Sequence, residues 1–269
     1  MTPKLIVCYI GDRASQFIDL SLQSVIDIAD KIVFVWGMDD QKTANKVLQW
    51  QTQYPDKFVL IANKFDCNDK GMNGRQRSIY LSYLQQHHIG DWALVLDPDE
   101  VVSNGKDVVN TINAFETDYL IKNPDLKDCS IIFNPVMEHF IYSLNHVDNT
   151  REQHYCPGRM FKVDEHLFYE PVEHAVTQTH REHIRMDINS FTLYHFGYVS
   201  NVFDVLSKYK NNKAKTNIHK PEFVEHWRRS HLFGKYPVRK FDISTLPQFI
   251  LDHFCITDDD FDYYRGKEQ

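Results

Sequence analysis

Along the first hundred positions, short unbroken apolar runs alternate with stretches whose apolar residues recur at helical spacing. Leu5 to Ile10 is a continuous apolar run closed by Gly11 and Asp12, the pattern of a strand covered on both faces. Phe17, Leu20, Leu22, Val25, Ile26 and Ile28 then recur near helical spacing, and Lys31 to Trp36 forms a second β-branched run ended by Gly37. The unit reads as strand, helix, strand. Residues 40–53 predict a second helix, Phe58 to Ala62 a third strand, and 74–88 another helix after the turn at Gly71 and Gly74. Trp92 to Leu96 predicts a fourth strand that runs straight into Asp97, Pro98, Asp99 and Glu100. Strands alternating with helices imply a mostly parallel α/β sheet, and such sheets bind ligands beyond the carboxyl ends of their strands. Polar residues collect at those ends: Asp12 and Arg13, Asp39 and Asp40, and the cluster from Asp97 to Glu100.

Beyond residue 105 the pattern loosens. Ser130 to Phe133 and Phe161 to Val163 are candidate strands, residues 190–198 (SFTLYHFGY) a strand or its exit, and 200–214 a Lys-rich amphipathic helix. Residues 220–269 are aromatic and charged, with an acidic end around Asp258 to Asp262. They read as the end of a C-terminal helical extension. The expected division is a catalytic unit over 1–200 and that extension, packed on it, over 201–269.

Composition narrows the function. The chain of 269 residues is 42% hydrophobic and 25% charged, ordinary values for a folded protein with a sizeable core. Its formal charge is -7, with 37 carboxylates against 30 Lys and Arg, which gives no basic footprint for nucleic acid or an anionic membrane. An anionic ligand must therefore meet local positive charge or a cation. Cys8, Cys67, Cys129, Cys156 and Cys255 are odd in number and contain no CxxC pair, a pattern of reduced thiols rather than a disulfide framework or a structural zinc site. No run approaches the roughly 20 apolar residues of a spanning helix. The expectation is a soluble cytoplasmic chain without a transmembrane segment, with peripheral docking at a membrane left open.

DPDE at 97–100 is the sharpest chemical feature. Two carboxylates one residue apart at the end of an apolar strand are costly to desolvate unless donors or a cation compensate, and hard oxygen ligands suit Mg²⁺ or Mn²⁺, which can bridge to a diphosphate. The plainer alternative is an Asp-Pro turn that caps the next segment. GMNGRQRS at 71–78 places Arg75 and Arg77 near a helix start, where guanidiniums and backbone N–H groups can meet phosphate oxygens; the alternative is a solvated basic turn.

Taken together, RQRSIYLSYLQQHHIGDWALVLDPDE, GRMFKVDE at 158–165, PVEHAV at 171–176 and YHFGYVS at 194–200 resemble, in that order, the family 2 glycosyltransferases of the GT-A fold. The likeness is strongest to the small members that modify lipopolysaccharide cores, and it covers roughly residues 4–210. Two departures stand out: Ser78 occupies the usual Asn position, and WGMDDQKT replaces the usual acidic turn after the second strand. The resemblance implies a GT-A-like α/β fold and a nucleoside-diphosphate-sugar donor. It also implies a glycan or lipid-linked acceptor and a divalent metal, Mn²⁺ or Mg²⁺. It places Tyr9 and Asp39 around the nucleobase and ribose, and Arg75 and Arg77 near the phosphates or sugar. Asp97 falls at the ribose or metal, Asp99 as the direct metal ligand and His195 as a further ligand. Glu173, in a Glu-His order reversed from the family's, is the candidate general base of an inverting transfer, with Glu138 as the alternative. A half-buried structural histidine at 195 and a surface glutamate at 173 are the plainer readings. A metal-dependent phosphohydrolase and a non-catalytic nucleotide- or carbohydrate-binding module are the rival functions.

Overall fold

The computed structural model describes residues 3–11, 14–66, 71–151, 154, 158–171, 177–199, 230 and 235–254. The predicted alternation is present. Strands β1 (Leu5–Gly11), β2 (Lys31–Trp36), β3 (Phe58–Ala62) and β4 (Trp92–Leu96) are separated by helices α1 (Ile18–Val25), α2 (Gln41–Gln53) and α3 (Met72–His87). They pair in parallel in the order β3-β2-β1-β4. Every residue of β1 is buried, because its two faces enter different cores: Leu5, Val7 and Tyr9 meet α1 and α2 on one side, and Ile6, Cys8 and Ile10 meet α3 on the other. An unbroken apolar run is what such a strand requires. Helix α2 starts where Asp40 accepts hydrogen bonds from the backbone N–H groups of Lys42 and Thr43, an acidic N-cap that also suits the helix dipole.

The other half of the sheet is mixed. After the short β5 (Glu100–Val102), helix α4 (Gly105–Ala114) continues through a π-helical turn, Phe115–Tyr119, into α5 (Leu120–Lys122). Strands β6 (Ser130–Ile141), β7 (Ser143–Asp148) and β8 (Met160–Lys162) follow. Strand β8 lies antiparallel between β4 and β6, and β6 continues antiparallel into β7. Strands β9 (Leu167–Tyr169) and β10 (Thr177–Thr179) form a separate two-stranded ribbon beside α3. The long β11 (His183–Tyr198) runs parallel to β6, and near its end antiparallel to β5, which sets His195 opposite both His139 and Glu100. Both β6 and β11 are longer than the patterns predict. The first half of β11 alternates exposed with half-buried residues, and β6 is interrupted by Asn134 and Pro135, so no continuous apolar run announces them.

In the C-terminal region the described part is a strand, β12 (Val238–Lys240), antiparallel to β7, followed by a 3-10 turn and α6 (Gln248–His253). Ile243, Leu246, Ile250 and Leu251 pack on Phe17, Phe140 and Phe196 in a third apolar cluster. The helix predicted over 200–214 and the acidic end at Asp258 to Asp262 lie outside the described residues. The whole is the expected α/β arrangement: a central sheet, parallel in its first half and mixed in its second, flanked by helices. Among the described residues no helix is long and apolar enough to cross a membrane.

Candidate active site

The site is built where β4 ends. The strand carries apolar side chains up to Leu96, and the chain then turns so tightly that the Glu100 N–H donates to the Asp97 carbonyl at 2.9 Å. The turn splits the four-residue DPDE into two halves that face different partners.

Asp97 and Glu100 form the first half, with Arg77 and Arg159. Arg77 Nη2 donates to Asp97 Oδ1 at 2.7 Å, and Arg159 Nη2 donates to Asp97 Oδ2 at 2.8 Å. Arg159 also pairs with Glu100 Oε1, while Glu100 Oε2 accepts the Asp97 N–H at 2.8 Å. Arg77, Arg159 and Glu100 are all buried. Burial raises the Asp97 carboxyl, but Arg159 and Arg77 outweigh it and hold the group well below the usual carboxylate range. Glu100 lies deeper and shares Arg159 with a like charge, so its burial prevails and pushes it up to about 8. The two charge signs foreseen for this region are present, and they are already paired with each other.

Asp99 and His195 form the second half. His195 Nε2 lies 3.8 Å from Asp99 Oδ1, and both side chains keep some contact with solvent, at 14% and 24% exposure. The Phe196 N–H donates to the Asp99 carbonyl at 2.9 Å, so β11 itself fixes the turn against His195. Behind His195 sits His139, with Nδ1 atoms 3.2 Å apart and the rings edge to face at 5.1 Å. His139 is buried and, among the described residues, its Nε2 has no hydrogen-bond partner; desolvation drives its basicity far down, and the His195 ring adds to the effect.

The other expected residues fall as follows. Tyr9 is fully buried in β1, stacked on Phe34 at 5.8 Å, and its hydroxyl meets Ser21 Oγ at 3.0 Å; Ser21 in turn donates to the Glu100 carbonyl at 2.5 Å. Its hydroxyl is thus tied to the turn from beneath. Asp39 is exposed in the loop between β2 and α2, and Arg75 is exposed on the first turn of α3. Glu138 is ion-paired with Arg239 of β12. Glu173 and His174 lie outside the described residues. The chain approaches them in close contact with α3: a Cβ on Gly74 would sit 1.9 Å from the Glu170 carbonyl oxygen, and one on Gly71 2.4 Å from that of Pro171. Glycine is what allows α3 to begin against this backbone.

Arg159 is the central residue that the sequence reading did not single out. Its signal was available in GRMF: Gly158 adopts φ +57, a left-handed conformation that turns the chain into β8. An arginine entering a buried strand needs an acid opposite it, and Asp97 and Glu100 are there.

Asp99 and His195 offer a carboxylate oxygen and an imidazole nitrogen of the kind that holds Mn²⁺ or Mg²⁺ together with phosphate oxygens. Asp97, the other expected ligand, has both oxygens taken by guanidiniums. Among the described residues no group of three or more His, Cys, Asp or Glu side chains is arranged to hold a metal. A cation here would rest on two protein ligands and fill its remaining positions from substrate and water.

No protein-family model matches the chain, and no curated protein sequence matches it. Solved structures give likenesses in the course of the chain. The S. aureus TarS structure of residues 1–349 aligns with TM-score 0.46 and 11% identity, over 97% of this chain and 89% of that one. GalNAc-T7 with UDP, GalNAc and Mn²⁺ aligns with TM-score 0.46 and 12% identity, over 97% of this chain and 56% of that one. The 4-diphosphocytidyl-2C-methyl-D-erythritol synthase aligns with TM-score 0.32 and 12% identity, over 84% and 85%.

Proposed function

We propose that the protein is a glycosyltransferase that moves a sugar from a nucleoside-diphosphate-sugar donor to a hydroxyl of a glycan or lipid-linked acceptor, with inversion and with the help of a divalent cation. The observation that carries this reading is the division of labour at the end of β4. Arg77, Asp97, Arg159 and Glu100 form a locked polar base, and on it Asp99 and His195 stand side by side at the site's surface. A locked base costs no reorganisation when charge develops above it, which is the way a protein best stabilises a leaving diphosphate.

In this reading Asp99 and His195 hold the cation, whose positive charge would offset the charge gathering on the departing nucleoside diphosphate. Asp97 orients Arg77 and Arg159 at the ribose and phosphate side, and Arg75, exposed on the same helix turn, meets phosphate or sugar. Asp39 approaches the ribose. Tyr9 supports the turn from below through Ser21. Glu173 takes the acceptor proton as the acceptor oxygen attacks the anomeric carbon. Glu138 is the weaker candidate for that step because Arg239 already pairs with it.

One observation favours the non-catalytic alternative: Asp97, expected to serve the metal, is engaged with two arginines. Turnover separates the two readings. Thermal shifts with UDP, GDP, CDP and dTDP, with and without Mn²⁺, should show one nucleotide stabilising the protein in a Mn²⁺-dependent way, by about 2.7 kcal/mol at a hundred times its dissociation constant. Asp99→Ala should abolish the Mn²⁺-dependent part and leave the protein folded. Slow hydrolysis of the matching sugar nucleotide supports the transferase, and binding without any turnover supports the module. A Mn²⁺ response that survives in Asp99→Ala excludes the proposed cation site.

A further inference from the structure

His139 lies outside the role set described so far, yet its ring meets that of His195 directly. The two residues are register partners across β6 and β11, and their Nδ1 atoms face each other at 3.2 Å. Two lone pairs or two N–H groups cannot face each other at that distance without repulsion, so a single proton sits between the rings. It belongs to one ring or the other, and the choice fixes which tautomer His195 presents at its far side. If His139 donates, His195 carries its proton on Nε2 and turns an N–H towards Asp99. If His195 donates, its Nε2 presents a bare lone pair there, and the proton of neutral His139 moves to its own Nε2, the buried nitrogen that has no partner among the described residues.

We propose that His139 is a positioning residue that accepts the Nδ1–H of His195 and thereby turns the His195 Nε2 lone pair towards a divalent cation shared with Asp99. This rests on the cation site proposed above. The arrangement accounts for a buried imidazole placed in β6 against His195: a metal-ligating histidine is ordinarily oriented by a hydrogen-bond acceptor at its other nitrogen, and loss of such an acceptor typically costs about 10–100-fold in metal affinity. A second imidazole can serve as that acceptor through its Nδ1 lone pair, with its own proton on Nε2, and the facing Nδ1 atoms supply that contact. Among the described residues nothing meets His139 Nε2, so its proton would be held there at a cost that the bound cation offsets.

The test uses Mn²⁺ alone, titrated into the full chain and followed by the loss of the free-ion electron paramagnetic resonance signal, with three variants. His195→Ala should abolish binding. His139→Leu, which keeps bulk and removes the acceptor, should weaken it by about 10–100-fold. His139→Asn places an oxygen near the position of the lost Nδ1 and should restore affinity to within a few-fold of wild type. Unchanged affinity in His139→Leu, with binding lost in His195→Ala, overturns the role of His139 and leaves the cation site standing. Wild type that binds no Mn²⁺, or His195→Ala that binds as wild type does, overturns the cation site itself and the inference with it. Should His139→Leu fail to fold, ¹⁵N spectra of the wild-type histidines with saturating Mg²⁺ decide the matter: a proton on Nδ1 of His195 supports the proposal, and a proton on its Nε2 overturns it.

Discussion

The two halves of DPDE are built from the same residue types within four positions, and they differ in almost every physical respect. Asp97 and Glu100 face inward to two buried arginines, which hold both side chains in place. Asp99 faces outward to a histidine at 3.8 Å and keeps a quarter of its side chain exposed, at 24%. The first half is a structural cluster whose members depend on one another; the second keeps contact with solvent. A two-carboxylate motif is therefore not one site by virtue of its spelling. The direction each side chain takes out of the turn decides what it does.

Breaking the inner half should have the largest effect. Arg159→Met leaves Glu100 buried without its cation and Asp97 with one partner fewer, and removal of one member of a buried ion pair typically costs about 3–5 kcal/mol. Urea unfolding should show a loss of that size. Arg77→Met is expected to cost less, about 1.5–3 kcal/mol, because Asp97 keeps Arg159 and Glu100 keeps its partner. Equal losses in the two variants would mean that Arg159 is not the hub.

The comparison sharpens with pH. Glu100 is pushed up to about 8 by burial, so between the ordinary glutamate value of about 4.3 and that point the folded protein binds more protons than the unfolded chain. Its contribution to stability is present at the acid end of this window and is lost as pH rises. Asp97 has the opposite sign: held below its ordinary value by the arginines, it stabilises above about pH 3.9 and that contribution is lost as pH falls. The urea midpoint of wild type relative to Glu100→Gln should accordingly decline from about pH 5 towards 8. A difference that stays flat from about pH 5 to 8 would show that Arg159 keeps Glu100 ionised.

The smallest stability effect is expected in the outer half. Asp99→Ala removes a part-exposed carboxylate from a 3.8 Å contact, and without Mn²⁺ the change should stay within about 0.5 kcal/mol of wild type. A loss comparable with that of Arg77→Met would place Asp99 in the structural cluster and erase the contrast.

Much of the molecule was legible from the chain. Strands β1, β2 and β4 follow from apolar runs closed by glycine or aspartate, because a strand covered on both faces has no polar positions to spare; β3, at the sheet's edge, and the three helices between them follow from a short apolar run and from helical spacing. The polar end of β4 could be located for the same reason. Tertiary structure decided the rest. Strands β5, β7, β9, β10 and β12 are short or half exposed, and they exist because neighbours pair with them, not because of local pattern. Arg159 reaches Asp97 across 62 positions, and His139 reaches His195 across 56, through the antiparallel β4–β8 and parallel β6–β11 pairings. Local sequence records which residues are charged, and only strand register brings them within hydrogen-bond distance. What the sequence determined by itself is where the strands end and that acids gather there; which acid meets buried arginines and which meets a histidine was decided by the strands arriving from the far half of the chain, because a carboxylate's role depends on the group it faces.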